Sequence, residues 1–280
     1  MMEEVILVAC SKTGFNIAVL QMTSTNNINE NFNFVEQQIK NLNQSKVKLI
    51  VLPENFAFMG LNEQDKLFHA EDYQDGYIQN YISNLAKKYC IWIVAGTIPI
   101  KSESLQRCYA SSIVFNAQGE IVARYDKIHL FDVQVSQQES HKESNTIIAG
   151  KDIVSLDTPV GRIGLSVCYD VRFPELYRSL SGENVDVFIV PAAFTFDTGK
   201  VHWELLLRAR AVENLCYVLG SNQVGTHQNG RRTYGHSMIV GPWGEVLSSC
   251  SGDETGVAFA NIDLEEMYQL RKRFPCLNHK

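Results

Sequence analysis

The chain has 280 residues, of which 45% are hydrophobic, and a formal net charge of −6. A chain of this length and composition can bury a full core as one α/β domain, although length alone also permits two. The negative net charge argues against a broad nucleic-acid-binding surface. The cysteines number seven and include no Cys-x-x-Cys pair. That pattern argues against a disulfide framework or a zinc ribbon and is typical of a reducing compartment.

No hydrophobic run approaches membrane-spanning length, and the apolar stretch 5–10 is too short for a signal peptide. We therefore expect a cytoplasmic protein that binds neither nucleic acid nor membrane. The sequence shows no internal repeat and no linker rich in Gly, Pro or Ser. This favours a single domain over residues 1–280, with its core at about 15–275.

The first half of the chain alternates predicted strands and helices. Hydrophobic residues recur at helical spacing over 28–42 and 77–89, which predicts two amphipathic helices. Apolar runs predict strands at 16–21, 49–52, 91–95, 108–115 and 120–125. The last two flank Asn116-Ala117-Gln118-Gly119, which is typical of a β-hairpin. Residues 132–145 are polar and unpatterned, so we expect a loop there.

The second half predicts a hairpin, alternating helices and strands, and a final β region before a last helix. The predicted elements are strands 153–156, 163–167, 185–190, 217–220, 237–240, 246–249 and 257–262 and helices 174–180, 201–215 and 264–273. Alternation with helices favours parallel strands, whereas hairpins require antiparallel ones, so we expect mixed sheets in two layers.

A cysteine ends one of these strands. The apolar run 163–167 stops at Cys168, and Pro174 then opens a helical segment. A cysteine at a strand-to-helix elbow projects its sulfur from the sheet, and the amides that follow would lower the thiol pKa and form an oxyanion hole. The alternative is an inert buried cysteine, which is the common state of a free thiol.

Two charged residues also follow strands. Glu54 lies just past the strand 49–52, and Lys127 lies at the end of the strand 120–125. Side chains at strand ends converge on one edge of a sheet in α/β folds. Glutamate, lysine and cysteine together would supply a general base, a positive charge and a nucleophile.

The sequence motifs around these residues resemble those of a known family. Leu52-Pro53-Glu54, Tyr125-Asp126-Lys127-Ile128-His129-Leu130-Phe131 and Cys168-Tyr169-Asp170-Val171-Arg172-Phe173-Pro174-Glu175 are similar to the Glu-Lys-Cys signature of the nitrilase, or carbon–nitrogen hydrolase, superfamily. The resemblance extends from about Phe15 to His279. The residues after the cysteine resemble the Nit branch of amidases, and within it the deaminated glutathione amidases, with the ω-amidases next.

The resemblance implies an α/β fold of the α-β-β-α sandwich type, in which two mixed sheets are flanked by helices. It implies Cys168 as the nucleophile, Glu54 as the general base, Lys127 and the amide of Tyr169 as oxyanion stabilisers, and Glu143 as a second site glutamate. The near-duplicate Glu139 is the alternative to Glu143. It also implies a homodimer or a higher homo-oligomer. No metal and no cofactor are expected.

Further family positions that contact substrate correspond to Arg172, Phe194 and Thr198. Arginine binds carboxylates in a bidentate manner, so Arg172 would hold a 2-oxo acid, with Phe194 against the acyl chain and Thr198 on the carboxylate. The alternatives are an ion pair of Arg172 with Asp170 or Glu175 and ordinary core packing of Phe194. His129 is expected to be structural, and the loop 225–235 to line the pocket entrance.

The resemblance implies a thiol amidase that hydrolyses a small linear amide with a 2-oxo acid end, specifically deaminated glutathione to 2-oxoglutarate and Cys-Gly. The alternatives are an ω-amidase that acts on 2-oxoglutaramate, an N-carbamoyl amide hydrolase, and a binding protein without turnover. The last is disfavoured because a reactive thiol and buried charges are costly to keep without a catalytic role.

Overall fold

The apolar strands form two six-stranded sheets in the computed structural model, which describes residues 14–135 and 140–279. In spatial order, the first sheet contains β16 (Gly256–Ile262), β1 (Phe15–Gln21), β2 (Leu49–Val51), β3 (Trp92–Lys101), β4 (Cys108–Phe115) and β5 (Ile121–Asp126). Its strands β1, β2 and β3 run parallel, and the remaining pairs are antiparallel.

The second sheet repeats this pattern of strand directions. In spatial order it contains β8 (Ser155–Thr158), β9 (Gly161–Leu165), β10 (Val187–Ala192), β11 (Tyr217–Asn222), β14 (Met238–Val240) and β15 (Val246–Ser249). Here β9, β10 and β11 are parallel, and the outer pairs are antiparallel. Both sheets are therefore mixed, as the combination of helices and hairpins predicted.

Five α-helices occur within the described residues. They are α1 (Ile28–Leu42), α2 (Tyr77–Tyr89), α3 (Pro174–Gly182), α4 (Phe196–Asn214) and α5 (Leu264–Arg273). The apolar faces of α1 and α2 pack on the first sheet, and those of α3 and α4 pack on the second. The predicted α-β-β-α order of layers is confirmed. None of these helices is long and apolar enough to cross a membrane.

Side-chain alternation along β1 shows how the layers form. Ile17 and Val19 face the second sheet, whereas Ala18 and Leu20 face α1 and α2, and all four are fully buried. Successive residues of a strand point to opposite faces, so a strand buried on both faces is apolar throughout. Each large side chain buried in this way stabilises the fold by about 1.5–3 kcal/mol.

Two small hairpins lie outside the main sheets. One pairs β6 (Asp132–Gln134) with β7 (Ser140–Lys142), and the other pairs β12 (Val224–Thr226) with β13 (Arg232–Tyr234). The expectation of an irregular loop over 132–145 was therefore wrong. A strand of three residues is too short to show apolar alternation, which is why the pattern gave no signal.

Candidate active site

A strained elbow presents Cys168. The residue follows β9 in a left-handed conformation (φ +48°) and begins a 3₁₀ turn, Cys168–Arg172, that leads into α3. A non-glycine residue in this region costs of order 1–3 kcal/mol, so the surrounding structure must hold it.

The fully buried carboxylate of Asp170 holds the elbow. Its oxygens accept hydrogen bonds from the amide of Val167 (2.8 Å), the hydroxyl of Tyr125 (2.8 Å) and the amide of His129 (3.0 Å). The Nδ1 of His129 lies a further 2.7 Å from the same carboxylate. Tyr125 lies in β5 of the first sheet, and His129 lies just after that strand. The hydrogen bonds of Asp170 therefore connect the elbow, which follows a strand of the second sheet, to the first sheet.

Glu54 and Lys127 meet between the sheets. They follow β2 and β5, and Nζ of Lys127 donates to Oε1 of Glu54 at 2.9 Å. The other carboxylate oxygen of Glu54 accepts from the amide of Ala193 at 2.9 Å. Gly150 packs against the chain beside Lys127: a Cβ at that position would lie 2.1 Å from the carbonyl oxygen of Asp126. Only glycine permits this approach.

Glu143 completes the polar cluster. It begins a 3₁₀ turn after β7, and its carboxylate accepts hydrogen bonds from Nζ of Lys127 (3.0 Å) and the amide of Phe131 (2.7 Å). The alternative residue for this position, Glu139, lies outside the described residues.

The electrostatics define the resting protonation states. Burial acts to lower the pKa of Lys127, but the carboxylates of Glu143 and Glu54 outweigh it and hold the pKa well above its ordinary value. Burial acts to raise the pKa of Glu54, but Lys127 outweighs it and the pKa is lowered. Glu54 is therefore an anion and Lys127 a cation at neutral pH.

The thiol behaves differently from the prediction. Burial, reinforced by the charge of Glu54, raises the pKa of Cys168, although Lys127 opposes this. The expectation that the elbow amides lower this pKa was wrong, because desolvation of the thiolate outweighs them. A protonated thiol beside an ionised carboxylate is the arrangement in which Glu54 can accept the proton when substrate is attacked.

A narrow cavity of about 60 Å³ opens onto these groups. Its walls include Glu54, Lys127, Glu143 and Cys168, together with three of the predicted substrate-binding residues, Tyr169, Phe194 and Thr198. Within residues 14–135 and 140–279, no group of three or more His, Cys, Asp or Glu side chains is arranged to hold a metal ion.

Arg172 is not among the described residues that line this cavity. Its guanidinium carbon lies 5.7 Å from the ring centre of Tyr169 and 5.1 Å from that of Phe194, and Nη1 lies 3.2 Å from Nδ1 of His202. A role of Arg172 in substrate binding stays a prediction.

Another arginine, Arg231, does line the cavity. It precedes β13 in the segment that we expected at the pocket entrance, and the site prediction did not include it. The available signal was the pair Arg231-Arg232 in a polar turn next to Gly230.

A second, wider cavity of about 500 Å³ continues outward from the first. The residues that line both are Asn55, Phe58, Glu63, Lys66, His141 and Arg231. Among the residues that line only the outer cavity are Gly60, Asn62, Asn229 and Arg232. The outer cavity therefore provides room beyond the cysteine for a larger polar group.

The sandwich, the elbow cysteine and the buried glutamate–lysine pair together define a class of hydrolase. The carbon–nitrogen hydrolase family profile matches residues 16–272. The chain therefore belongs to the carbon–nitrogen hydrolase family, and it is a hydrolase that acts on amides. The resemblance inferred from the three motifs is confirmed.

Individual relatives agree with this assignment. The deaminated glutathione amidase of Yersinia enterocolitica is 42% identical over 266 residues, which cover 94% of this chain and 92% of the relative. The crystal structure of the NitFhit protein of C. elegans superposes with a TM-score of 0.89 at 39% identity, over 95% of this chain and 65% of that longer chain. Nit3 of Saccharomyces cerevisiae, a member of branch 10 of the nitrilase superfamily, superposes with a TM-score of 0.81 at 31% identity, over 94% of each chain.

Proposed function

We propose that the protein is a thiol amidase that hydrolyses deaminated glutathione to 2-oxoglutarate and Cys-Gly. The observation that carries the reaction type is the buried arrangement of a protonated thiol, an ionised glutamate and a lysine cation around one cavity. The substrate is supported by the high identity to a deaminated glutathione amidase over most of both chains.

In the first step, Sγ of Cys168 attacks the carbonyl carbon of the amide while Glu54 accepts the thiol proton. A C–S bond forms, and the carbonyl oxygen becomes an oxyanion. The ammonium of Lys127 and the amide of Tyr169 stabilise this charge, and one such donor typically contributes about 3 kcal/mol to the transition state. Glu143 keeps Lys127 charged and in position through its hydrogen bond.

In the second step, the oxyanion collapses and the C–N bond breaks. Glu54 returns the proton to the departing amine, which leaves as Cys-Gly, and the acyl group remains on Cys168 as a thioester. Glu54 then takes a proton from water, whose oxygen attacks the thioester. The C–S bond breaks, 2-oxoglutarate leaves, and the proton returns to Sγ.

The wider outer cavity supports an amide with a substituted nitrogen. 2-Oxoglutaramate carries only hydrogen on its amide nitrogen, so it would leave this space unfilled. The dipeptide Cys-Gly has a peptide bond and a carboxylate, and these polar groups match the polar outer walls at Asn62 and Asn229.

Within the inner cavity, Phe194 would pack against the acyl chain and Thr198 would donate a hydrogen bond to the 2-oxo acid. Tyr169 lines the same cavity as the nucleophile, and its ring lies edge-on to that of Phe131, with the ring centres 5.1 Å apart. Arg172, which does not line the cavity, would act indirectly: its guanidinium packs on the rings of Tyr169 and Phe194 and would keep them in position.

The test is turnover of deaminated glutathione beside 2-oxoglutaramate, with wild type and Cys168→Ala in parallel. We expect a strong preference for the peptide, lost in the variant, whereas Cys90→Ser, which changes an exposed cysteine, should retain it. Preference for 2-oxoglutaramate would reassign the protein as an ω-amidase. Absence of turnover of both substrates by wild type would overturn the proposed substrate.

We also propose that the chain forms a homodimer or a higher homo-oligomer through an apolar face at α4. Val201, Leu205 and Val212 lie on one side of this helix and are 60%, 65% and 47% exposed. Trp243 and Phe274, whose ring centres are 5.3 Å apart, add two further exposed aromatic side chains. Contiguous apolar surface of this kind marks protein interfaces.

Light scattering tests the oligomer. Wild type should have at least twice the mass of one chain, and Leu205→Glu should lower that mass. Leu105→Glu is the matched control, because Leu105 is 98% exposed and lies on a different part of the surface. A monomeric wild type would overturn the proposal.

A further inference from the structure

We propose that Arg231 binds a carboxylate of the substrate and thereby sets a preference for acidic amides. This inference rests on the proposed function and deepens it, because it assigns the recognition of the acidic group to a residue outside the predicted site.

Lys127 and Lys66 already have carboxylate partners. Lys127 lies 2.9 Å from oxygens of Glu54 and Glu143, and Lys66 lies 3.1 Å from Glu63. Arg231 forms no ion pair with a carboxylate of residues 14–135 or 140–279. A partly buried guanidinium without a counter-ion at a cavity wall is a ready partner for a ligand anion.

The hydrogen bonds of Arg231 leave part of its donor set free. Its Nη2 donates to the carbonyl oxygen of Ala193 at 2.6 Å. Its Nε is buried and has no hydrogen-bond partner among the described residues. A buried donor without a partner destabilises the protein, and a bound carboxylate would provide that partner.

The backbone holds Arg231 in place before any ligand arrives. The side chain of Asn229 accepts from the amide of Arg231 at 3.0 Å and donates to the carbonyl of Gly60 at 2.8 Å. The amide of His227 donates to the carbonyl of Arg231 at 2.9 Å. This turn therefore connects two segments that line the outer cavity, and it holds Arg231 where the two cavities join.

The charge balance of the inner cavity makes such a cation necessary. Without Arg231, the described residues that line the inner cavity would carry three carboxylates, Glu54, Glu63 and Glu143, against the two cations of Lys66 and Lys127, so an acidic substrate would meet net repulsion. Like charges at such short range in a partly buried site repel one another strongly. The charge of Arg231 already reaches this group, since it helps Lys127 to lower the pKa of Glu54.

Two carboxylates of deaminated glutathione fit this chemistry, that of the 2-oxo acid and that of the terminal glycine. The test compares wild type with Arg231→Ala and Arg231→Lys on deaminated glutathione, its C-terminal amide, and 2-oxoglutaramate. A fourth substrate, 4-oxopentanamide, replaces the carboxylate of 2-oxoglutaramate with a methyl group. Arg162→Ala is the matched control, because Arg162 is partly exposed, pairs with Asp157 and lines neither cavity.

We expect Arg231→Ala to lower kcat/KM by about 100-fold for deaminated glutathione, mainly through KM, as loss of a bidentate charged hydrogen bond implies. An equal loss with 2-oxoglutaramate identifies the 2-oxo acid as the partner. A loss confined to the peptide, and absent for its C-terminal amide, identifies the terminal carboxylate. Arg231→Lys should recover part of the loss, and 4-oxopentanamide should change by less than about 2-fold.

An equal loss with 4-oxopentanamide, or no loss with the acidic amides, would overturn the role of Arg231. The failure of the proposed function is a different result, namely that wild type turns over neither acidic amide. Titration calorimetry then decides the role of Arg231 with 2-oxoglutarate as the probe. Weaker binding to Arg231→Ala than to wild type supports the role, and equal affinity or absence of binding overturns it.

Discussion

The Nζ of Lys127 lies 2.9 Å from Oε1 of Glu54, and only 2% and 6% of the two side chains are exposed. A charged pair at this depth is kept only when each partner offsets the loss of hydration of the other. Glu143 shares Lys127, so the three side chains form one unit that spans the floor of the cavity. Replacement of any member changes the charge that the others experience.

Removal of the lysine should therefore destabilise the fold as well as abolish turnover. Lys127→Met leaves the buried carboxylate of Glu54 without its cation, and we expect a loss of about 3–5 kcal/mol in the free energy of unfolding. Urea denaturation at neutral pH measures it. The double variant Lys127→Met/Glu54→Gln should regain part of the loss, and equal stabilities of wild type and Lys127→Met would contradict the electrostatic account.

The thiol of Cys168 should remain protonated in the free enzyme where an ordinary cysteine has begun to ionise. Burial and Glu54 raise its pKa above the usual value of 9.0. The thiolate absorbance difference between wild type and Cys168→Ser should accordingly stay near zero up to about pH 9. A thiolate signal at neutral pH would show that the elbow amides dominate after all.

Asp170→Asn should weaken both the elbow and the fold. The carboxylate accepts from Val167, Tyr125 and His129, whereas an amide has only one acceptor oxygen, so at least one buried donor loses its partner. We expect a loss of about 2–4 kcal/mol in stability, together with reduced turnover, measured by denaturation and kinetics. Asp157→Asn is the control, since that side chain is 83% exposed and should change stability by less than about 0.5 kcal/mol.

Acid should destabilise the fold at the hairpin that carries Arg231, because His227 in that hairpin becomes protonated. Burial lowers the pKa of His227 below its usual 6.5, and its ring nitrogens contact the carbonyl of Ser24 and the hydroxyl of Thr233. The unfolded chain then binds more protons than the folded chain between the lowered pKa and 6.5. Stability from this residue is present above pH 6.5 and is lost as the pH falls through the lowered pKa.

Urea unfolding at a series of pH values checks this. Below about pH 6.5 the slope from one such histidine is at most about 1.4 kcal/mol per pH unit. His227→Gln should keep a hydrogen-bonding side chain without the titration, and its stability should fall less steeply with acid. Parallel curves for the two proteins would exclude His227 as the source.

The regular helices were predictable because the pattern of apolar residues that marks a helix lies within their own sequences. The bounds of α1, α2 and α5 match the prediction, since apolar residues recur near the 3.6-residue period along most of each helix. The start of α4 was missed. It begins at Phe196 rather than Val201, and its first turn contains Gly199, where a Cβ would lie 2.3 Å from that of Tyr234. Because glycine disfavours a helix, a glycine that close packing requires looks, in the local sequence, like a helix breaker.

The site was predictable where a motif marks it, and hidden where tertiary contacts create it. Glu54, Lys127, Cys168 and Glu143 do meet, and their catalytic roles, like the single-domain assignment, stay predictions. The burial that raises the pKa of Cys168 and the approach of Arg231 to Ala193 depend on distant segments of the chain. Strand periodicity contains no information on either.

The cavity floor draws Glu54 and Lys127 from one sheet and Cys168 and Ala193 from the other. Its geometry therefore depends on how tightly the two sheets press together through residues such as Val51 and Leu165, which touch no substrate. A trimmed side chain in that interface would shift the proton acceptor relative to the sulfur by a fraction of an ångström. Substitutions in the interface between the sheets should therefore change the reaction rate, and that rate reports how well the two sheets are packed together.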